Sequence, residues 1–415
     1  MHSLIDESGK RWRRWTAAVP SWLWLAICYV AFLTALDAPL WRPGDLIQGD
    51  ANYNVAEARA WLDGRLDLGV AGPDGRRPWD TALFGGRFYN PFPPAFTLVC
   101  LGVLPFSPEG VPHWLSVAML ALPLPGLAFS LFTRRTGSHT WGCLLTLTYL
   151  LGTSLLPVAG RAVRYGSVYH VNHVLSQIGL MIFLLDFWGR RRVWPGGAGL
   201  LLAAWSRQLT VAFALPLIAA ALAEDRKAGR GRNRTIVAVA LVALVGVLPL
   251  VLNTLKFGHP LDSGYAHLYE GRSDKYAEAA EDGLFGLRFV PDNLYHMNLG
   301  FPRLIHAGGQ WHVRPNMVAT GIWWTTPLLL GWLVSLRRSW RDGQGRTLLI
   351  AIGLVWVGLL CYHATGAEQR GYNRFSLDYV VVMLAMVAPY CRGGWLRWFG
   401  PAALVWSVIY FGWLI

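Results

Sequence analysis

Long apolar runs recur along almost the whole chain, and they constrain its fold more than any other feature. Runs of about 15–20 apolar residues between short polar stretches are typical of membrane-spanning helices. Of the 415 residues, 54% are hydrophobic and only 15% are charged. A soluble chain of this length would usually form two or three domains. This pattern instead predicts one all-α, polytopic membrane domain over residues 1–415.

The basic residues lie in short clusters between the apolar runs. Lys and Arg concentrate in the cytoplasmic loops of membrane proteins, and this arrangement accounts for the net charge of +13. It argues against nucleic-acid binding, which would need a basic surface domain. A cluster at residues 10–14 precedes an apolar run that is too long for a cleaved signal peptide. We therefore expect an uncleaved first span with a cytoplasmic N-terminus.

Nine apolar runs are long enough to be spans. They lie at 19–37, 112–132, 139–158, 169–187, 236–254, 317–335, 347–363, 375–391 and 399–413. Two further segments are ambiguous, because 93–106 is short and flanked by prolines and 196–223 contains Arg207 in its middle. All later basic clusters face the cytoplasm only if 93–106 is a juxtamembrane or re-entrant helix and 196–223 is two short helices meeting at Arg207. This solution has eleven spans and an outer C-terminus.

Two long loops then lie on the outer face, at residues 38–111 and 255–316. The first is expected to contain juxtamembrane helices. It opens with "QGDANYNVAEARAWL", in which Asp50 is a candidate helix N-cap. A carboxylate fixed at a helix start is also well placed to act as a general base. Tyr53 would lie on one face of the same helix.

Several arginines break the positive-inside pattern by falling on the outer side. They are Arg161, Arg164, Arg207, Arg370 and Arg374. Arg207 is costly within an apolar run unless it meets a polar cavity or partner. Arginine suits phosphate because its planar guanidinium donates paired hydrogen bonds. Each site alone is compatible with surface charge, but with Asp50 they describe an outer pocket for an anionic lipid headgroup.

Other polar residues near these sites allow either a structural or a functional interpretation. His170 and His173 lie where the 159–168 turn enters the next span, and each could be a packing residue or contact substrate. Asp378 follows Arg374 by four residues, which predicts a local ion pair. "FGHPLDSGY" has the composition of an ordered turn, although its His259 could touch substrate. Tyr89 could stack on a sugar or anchor the loop at the membrane interface.

Signatures of metal and nucleotide chemistry are missing from the sequence. The first outer loop has no DxD motif, and the chain has no clustered His or Cys ligands and no phosphate-binding Gly-rich loop. The five cysteines show neither disulfide nor metal spacing. This pattern argues against a metal-dependent nucleotide-sugar enzyme and against an ATP-driven machine. We expect no metal and no cofactor.

Four stretches together resemble the GT-C superfamily of integral membrane glycosyltransferases, in particular bacterial proteins similar to dolichyl-phosphate-mannose-protein mannosyltransferases. "QGDANYNVAEARAWLDGRLDL" and "GGRFYNPFPPAFTLVCLGVLPF" look like the first outer loop of this family. "GLLLAAWSRQLTVAFALPLIAAAL" is similar to its helix pair with a central basic residue. "VLNTLKFGHPLDSGY" and "RGYNRFSLDYVVVMLAMVAP" look like later motifs. The resemblance covers roughly residues 20–390.

This resemblance implies a fold, an activity and site residues. Such enzymes transfer a sugar from a polyprenyl-phosphate carrier to an acceptor hydroxyl at the outer membrane face, usually with inversion. Asp50 matches the family's base, Arg207 its basic helix-pair residue and Arg374 a later arginine near the donor. The chain departs from the family in having a single Gly-Asp where many relatives carry two adjacent acids. It also lacks a large C-terminal outer domain.

The implied partners are membrane lipid, the polyprenyl-phosphate-linked sugar, and a glycan, lipid or protein acceptor, in a bacterial inner membrane. Two other functions stay open. A transporter or lipid flippase has similar composition, although we find no duplicated halves. A polysaccharide polymerase or ligase also uses lipid-linked donors, but its main outer loop usually lies late in the chain.

Overall fold

The computed structural model describes residues 19–36, 45–48, 52–70, 80–229, 231–269, 283–316, 318–365 and 371–414, and these are mostly helical. The first half of the bundle contains the following helices: α1 Ser21–Ala35, α2 Tyr53–Leu62, α3 Ala95–Val103, α4 His113–Thr136, α5 His139–Leu151, α6 Leu155–Tyr165, α7 Val168–Phe187 and α8 Trp194–Ser206.

The second half continues with longer spans and several short helices. They are α9 Ala214–Ala228, α10 Asn233–Phe257, α11 Tyr265–Tyr269, α12 Val290–Leu294, α13 Ile322–Thr325, α14 Gly331–Arg341, α15 Gly343–Cys361, α16 Val380–Val387 and α17 Leu396–Ile409. Short 3-10 segments precede α9, at Gln208–Phe213, and α16, at Arg374–Asp378.

Five helices of the described segments are long and apolar enough to cross a membrane: α4, α7, α10, α15 and the continuous stretch Gln208–Ala228. A sixth span results if α5 and α6, which meet at 60°, are counted as one. Pro157 lies in the first turn of α6, where it cannot donate a backbone hydrogen bond, and this favours the bend. The structure therefore supports a multi-pass helical membrane protein, while the expected count of eleven spans is not confirmed.

Several predicted spans are interrupted. The run 317–335 is divided among α13, the 3-10 segment Pro327–Leu330 and the start of α14. The run 375–391 begins as 3-10 helix, and its apolar helical part, Val380–Tyr390, is shorter than a full span. Within 196–223, the predicted break at Arg207 is confirmed, because α8 ends at Ser206 and Arg207 has extended backbone. The helix after the break was expected to be short, and this was wrong, because Gln208–Ala228 has 21 residues and is long enough to cross a membrane.

Short antiparallel strands lie outside the helices. β1 Leu46–Ile47 pairs with β5 Val111–Pro112, which brings the two ends of the first loop together. β2 Gly69–Val70, β4 Arg87–Tyr89 and β3 Ala82–Phe84 form a three-stranded sheet in that order. A separate hairpin joins β6 Arg303–Ala307 to β7 Gln310–Arg314. In the β3–β4 turn, Gly85 and Gly86 both have positive φ, as a two-residue type I′ turn requires.

The two helices in the first loop, α2 and α3, pack against each other and are fixed to α10 by a buried ion pair. Glu57 of α2 is fully buried and pairs with Lys256 near the end of α10. The Glu57 carboxylate also accepts hydrogen bonds from Asn90 at 2.9 Å and from Thr97 at 2.6 Å. Because a buried charge is costly without partners, this network specifies where the first loop sits on the bundle.

The centre of the bundle is the α7–α8 pair. In the most apolar part of α7, 83% of the residues are buried, against 17% for α10, so α7 is internal and α10 peripheral. Gly179 and Gly199 face each other, and a Cβ on Gly179 would lie 2.4 Å from the Gly199 carbonyl oxygen. Small residues of this kind allow membrane helices to approach closely. The close packing places the end of α8, and so Arg207, beside α7.

Polar contacts within the bundle hold the 3-10 segment Arg374–Asp378 against α7. Gln177 of α7 donates to the Leu377 carbonyl at 2.8 Å and accepts from the Tyr149 hydroxyl at 2.9 Å. The Ser376 hydroxyl lies 3.0 Å from that of Ser154. The segment therefore has a defined position next to α7 and Arg207.

Candidate functional site

Asp50, the predicted base, lies outside the described residues, as does Arg370. The N-cap predicted for Asp50 is provided two residues later by Asn52, whose side chain accepts from the Asn54 backbone N–H at 2.8 Å. The expected cap position was therefore wrong. Asn is as good a cap as Asp, and the helix begins at Tyr53, two residues beyond the position a cap at Asp50 would set.

Arg207 forms a two-point ion pair with Asp378. Its Nε donates to Asp378 Oδ1 at 3.0 Å and its Nη2 donates to Oδ2 at 2.8 Å. Asp378 is fully buried, while the Arg207 side chain keeps 20% of its surface exposed. Asp378 was expected to pair locally with Arg374. That expectation was wrong, because residues 374–378 form a 3-10 helix, in which positions four apart are not aligned as they are in an α-helix.

Arg374 differs from Arg207 in its electrostatic environment. Within the described residues no carboxylate forms an ion pair with it, and its Nε is buried without a hydrogen-bond partner. The guanidinium carbon lies 5.2 Å from the Phe375 ring centroid and 5.7 Å from that of Tyr169. The Arg207 guanidinium is a second positive charge close to Arg374. Since the Arg207 charge is neutralised by Asp378, Arg374 is the cation of this pair that is available to an anion.

Two histidines of α7 lie beside these arginines. His173 Nδ1 is 4.0 Å from Asp378 Oδ1, and its ring packs on Phe375 with centroids 5.8 Å apart. His170 Nδ1 lies 2.9 Å from the Ser167 hydroxyl, and its buried Nε2 has no hydrogen-bond partner among the described residues. The sequence-predicted His173 thus belongs to the arginine site, behind the ion pair.

A groove of about 1330 Å³ opens between α6, the end of α1 and the C-terminal part of the chain after Ile409. Most of its walls are apolar side chains, including Leu36, Leu156 and Phe411. Its polar side chains are Arg161, Arg164, Tyr165, Ser167, Tyr169 and His170. Arg161 and Arg164 lie three positions apart, on the same face of α6.

Tyr169 connects the groove to the arginine site. Its side chain lines the groove, and its ring is the one that contacts the Arg374 guanidinium. An amphiphile lying in the groove would therefore have its apolar part against the helices and its polar end near arginines. The structure brings together four of the five predicted arginines in this region, since Arg370 lies outside the described residues.

A carboxylate that the sequence interpretation missed also lies here. Asp80 accepts a hydrogen bond from the Tyr169 hydroxyl. Burial, together with the Asp80 carboxylate, raises the pKa of Tyr53. Burial also raises the pKa of Tyr265, which lies within the electrostatic range of Arg207, Arg374 and Asp80. The predicted residue Tyr53 therefore belongs to this region.

Two other predicted residues have contacts of a structural kind. His259 is exposed, and its Nδ1 accepts from the Leu261 backbone N–H at 3.2 Å, so it stabilises the turn after α10. Asp262 accepts from the Gly264 N–H at 2.9 Å in the same turn. This agrees with the structural interpretation of "FGHPLDSGY". The Tyr89 ring packs edge-on against Phe257, with centroids 5.4 Å apart.

The described residues contain no group of three or more His, Cys, Asp or Glu side chains arranged to hold a metal ion. Comparison of the chain with protein-family models, with curated proteins and with solved structures found no match.

Proposed function

We propose that this protein is a GT-C-type membrane glycosyltransferase that moves a sugar from a polyprenyl-phosphate donor to an acceptor hydroxyl at the outer face of a bacterial inner membrane. The observation that supports this most is the apolar groove with arginines at its polar side, next to Arg374. A long isoprenoid chain matches the apolar walls, and a phosphate matches the guanidinium groups.

In this proposal the arginines have different roles. Arg374, which has no carboxylate partner in the described part of the chain, stabilises the negative charge that develops on the phosphate as the glycosidic bond breaks. Arg161 and Arg164 attract the phosphate from the groove side, and Arg370 adds a further positive charge to the site. Arg207, neutralised by Asp378, orients the site and leaves its remaining N–H groups for a hydrogen bond.

Asp50 is the proposed general base, which removes the proton from the acceptor hydroxyl on the side of the sugar opposite to the phosphate. Tyr53, three residues further along, is near Asp80 and so belongs to the arginine region. Attack from the opposite side inverts the anomeric centre. The proposed reaction needs neither metal nor cofactor, since guanidinium groups neutralise the phosphate leaving group.

The proposal includes the finer topology expected from the sequence. It has a GT-C-like bundle of about eleven spans, a cytoplasmic N-terminus, and both long loops, 38–111 and 255–316, on the outer face. The acceptor is a glycan, a lipid or a protein. The interrupted helices around Arg207 and at Arg374–Asp378 support a polar site at membrane depth, because broken helices are tolerated where they line a cavity.

The direct test is a transfer assay with the full-length protein in proteoliposomes. A panel of undecaprenyl-phosphate sugars is supplied, and release of undecaprenyl phosphate is measured. Asp50→Asn and Arg374→Gln should each lower turnover by at least about 100-fold, whereas Arg337→Gln, at an exposed arginine, should not change it. Unchanged turnover in Asp50→Asn would refute the base. Saturable transport of lipid without sugar transfer would indicate a flippase, and formation of a sugar polymer would indicate a polymerase.

A further inference from the structure

Asp80 is held in an unusual backbone conformation beside the arginine site. Its φ is 57°, in the left-handed region that residues other than glycine, asparagine and aspartate seldom adopt. The Tyr169 hydroxyl donates to Asp80 Oδ2, and the carboxylate is partly exposed. Asp80 therefore has a fixed orientation. A carboxylate has about four acceptor positions, so it can bind more than one donor at a time.

Aromatic rings surround this carboxylate. The Phe92 ring is perpendicular to that of Tyr169, with centroids 5.2 Å apart, and also to that of Tyr265, with centroids 6.3 Å apart. Tyr53 completes the group, because the Asp80 carboxylate contributes to its raised pKa. All four rings are partly exposed.

Tyr169 lies between Asp80 and Arg374. Its hydroxyl contacts the carboxylate, while its ring is 5.7 Å from the Arg374 guanidinium carbon. In a polyprenyl-phosphate sugar, the sugar is bonded directly to the phosphate. A phosphate at Arg374 would therefore place the sugar next to Tyr169, the residue that also contacts Asp80.

We propose that Asp80, Tyr169 and the surrounding aromatic rings form the subsite for the donor sugar, with the Asp80 carboxylate accepting hydrogen bonds from its hydroxyl groups. This inference rests on the proposed function, because it takes the phosphate to bind at Arg374. Hydrogen bonds from hydroxyls to an ionised carboxylate are stronger than neutral ones, and aromatic rings cover the apolar face of a sugar. In this role Asp80 distinguishes a sugar-loaded carrier from the free carrier.

The test is to compare binding of two lipids to the full-length protein in nanodiscs. The probes are undecaprenyl phosphate and a panel of undecaprenyl-phosphate hexoses, and the measured quantity is the ratio of their dissociation constants. Wild type should bind at least one loaded carrier more tightly than the free carrier. Asp80→Asn should reduce that preference by about 10- to 100-fold, the size expected for hydrogen bonds to a charged group, with binding of undecaprenyl phosphate itself unchanged.

Two further variants make the result decisive. Asn also adopts positive φ readily, so Asp80→Asn should fold, and Tyr169→Phe removes the hydroxyl but keeps the ring and should give a smaller loss of preference. Asp63→Asn, at an exposed carboxylate in the same loop, is the matched control and should match wild type. If Asp80→Asn keeps the wild-type preference, or if wild type has none while binding undecaprenyl phosphate, the sugar subsite is refuted alone. If wild type binds neither lipid, the proposed function fails with it.

Discussion

Replacing Arg207 by glutamine should leave the Asp378 carboxylate without its partner in the interior of the bundle. Asp378 is fully buried, and two hydrogen bonds of 3.0 and 2.8 Å join it to the guanidinium. Breaking a buried pair by removing one member costs about 3–5 kcal/mol, because the remaining charge is neither paired nor hydrated. We therefore expect the free energy of unfolding of Arg207→Gln to fall by that amount.

The reverse substitution should cost less. Asp378→Asn leaves the Arg207 guanidinium unpaired, but 20% of that side chain is exposed and can be hydrated. A cost of about 1–3 kcal/mol is expected for this smaller desolvation. In the double variant Arg207→Gln/Asp378→Asn no bare charge remains, so its stability should exceed that of Arg207→Gln.

The assay is denaturant unfolding in mixed detergent micelles, applied to the four proteins of this double-mutant cycle. The expected coupling energy is at least about 2 kcal/mol. Arg337→Gln, at an exposed arginine, is the control and should change stability by no more than about 0.5 kcal/mol. Additive costs of the two single substitutions would refute the conclusion that this pair is what compensates the buried Asp378.

Three other predictions follow from the same structure. Arg374→Gln should lower sugar transfer by at least about 100-fold. It should leave the free energy of unfolding unchanged or up to about 1 kcal/mol higher, because it removes a partly buried cation beside Arg207. A loss of several kcal/mol in stability would show a structural role instead. Glu57→Gln should lower the free energy of unfolding in micelles by about 3–5 kcal/mol, because it leaves Lys256 buried without its partner. Adding Lys256→Met should restore part of this stability. If it restores none, the pairing is contradicted. Burial lowers the pKa of His363 to about 4, so the folded state resists its protonation. The stabilising contribution of neutral His363 should be complete above about pH 6.5 and be lost as pH falls towards 4. His363→Phe should therefore reduce the slope of the free energy of unfolding against pH between those values. An unaltered slope would show that His363 does not cause the pH dependence.

The membrane class and the break at Arg207 could be predicted because both depend on local sequence. An arginine in the middle of an apolar run needs a polar partner or cavity. The helix is interrupted there, since α8 ends at Ser206 and the 3-10 segment begins at Gln208. The span count was less predictable. Prolines and 3-10 segments divide runs such as 317–335, and hydrophobicity alone does not show these interruptions.

The contacts of the site were harder to predict because they join residues far apart in the chain. Arg207 pairs with Asp378, 171 positions away, while the nearer Arg374 is excluded by the 3-10 geometry. Lys256 pairs with Glu57 across 199 positions. The sequence does indicate that Arg207 and Lys256 need partners, because each is an ionisable residue in or beside an apolar run. It does not indicate which residues those partners are. There was no such indication for Asp80, because its role depends on Tyr169 and on a positive φ.

The central claim, that this site binds a polyprenyl phosphate, is tested most directly by a cryo-electron microscopy structure of the protein in nanodiscs with undecaprenyl phosphate. The proposed function predicts phosphate density within about 3 Å of the Arg374 guanidinium nitrogens, with the isoprenoid chain in the groove between α6, the end of α1 and the C-terminal segment after Ile409. Phosphate density at another part of the protein, with this groove and Arg374 unoccupied, would contradict it.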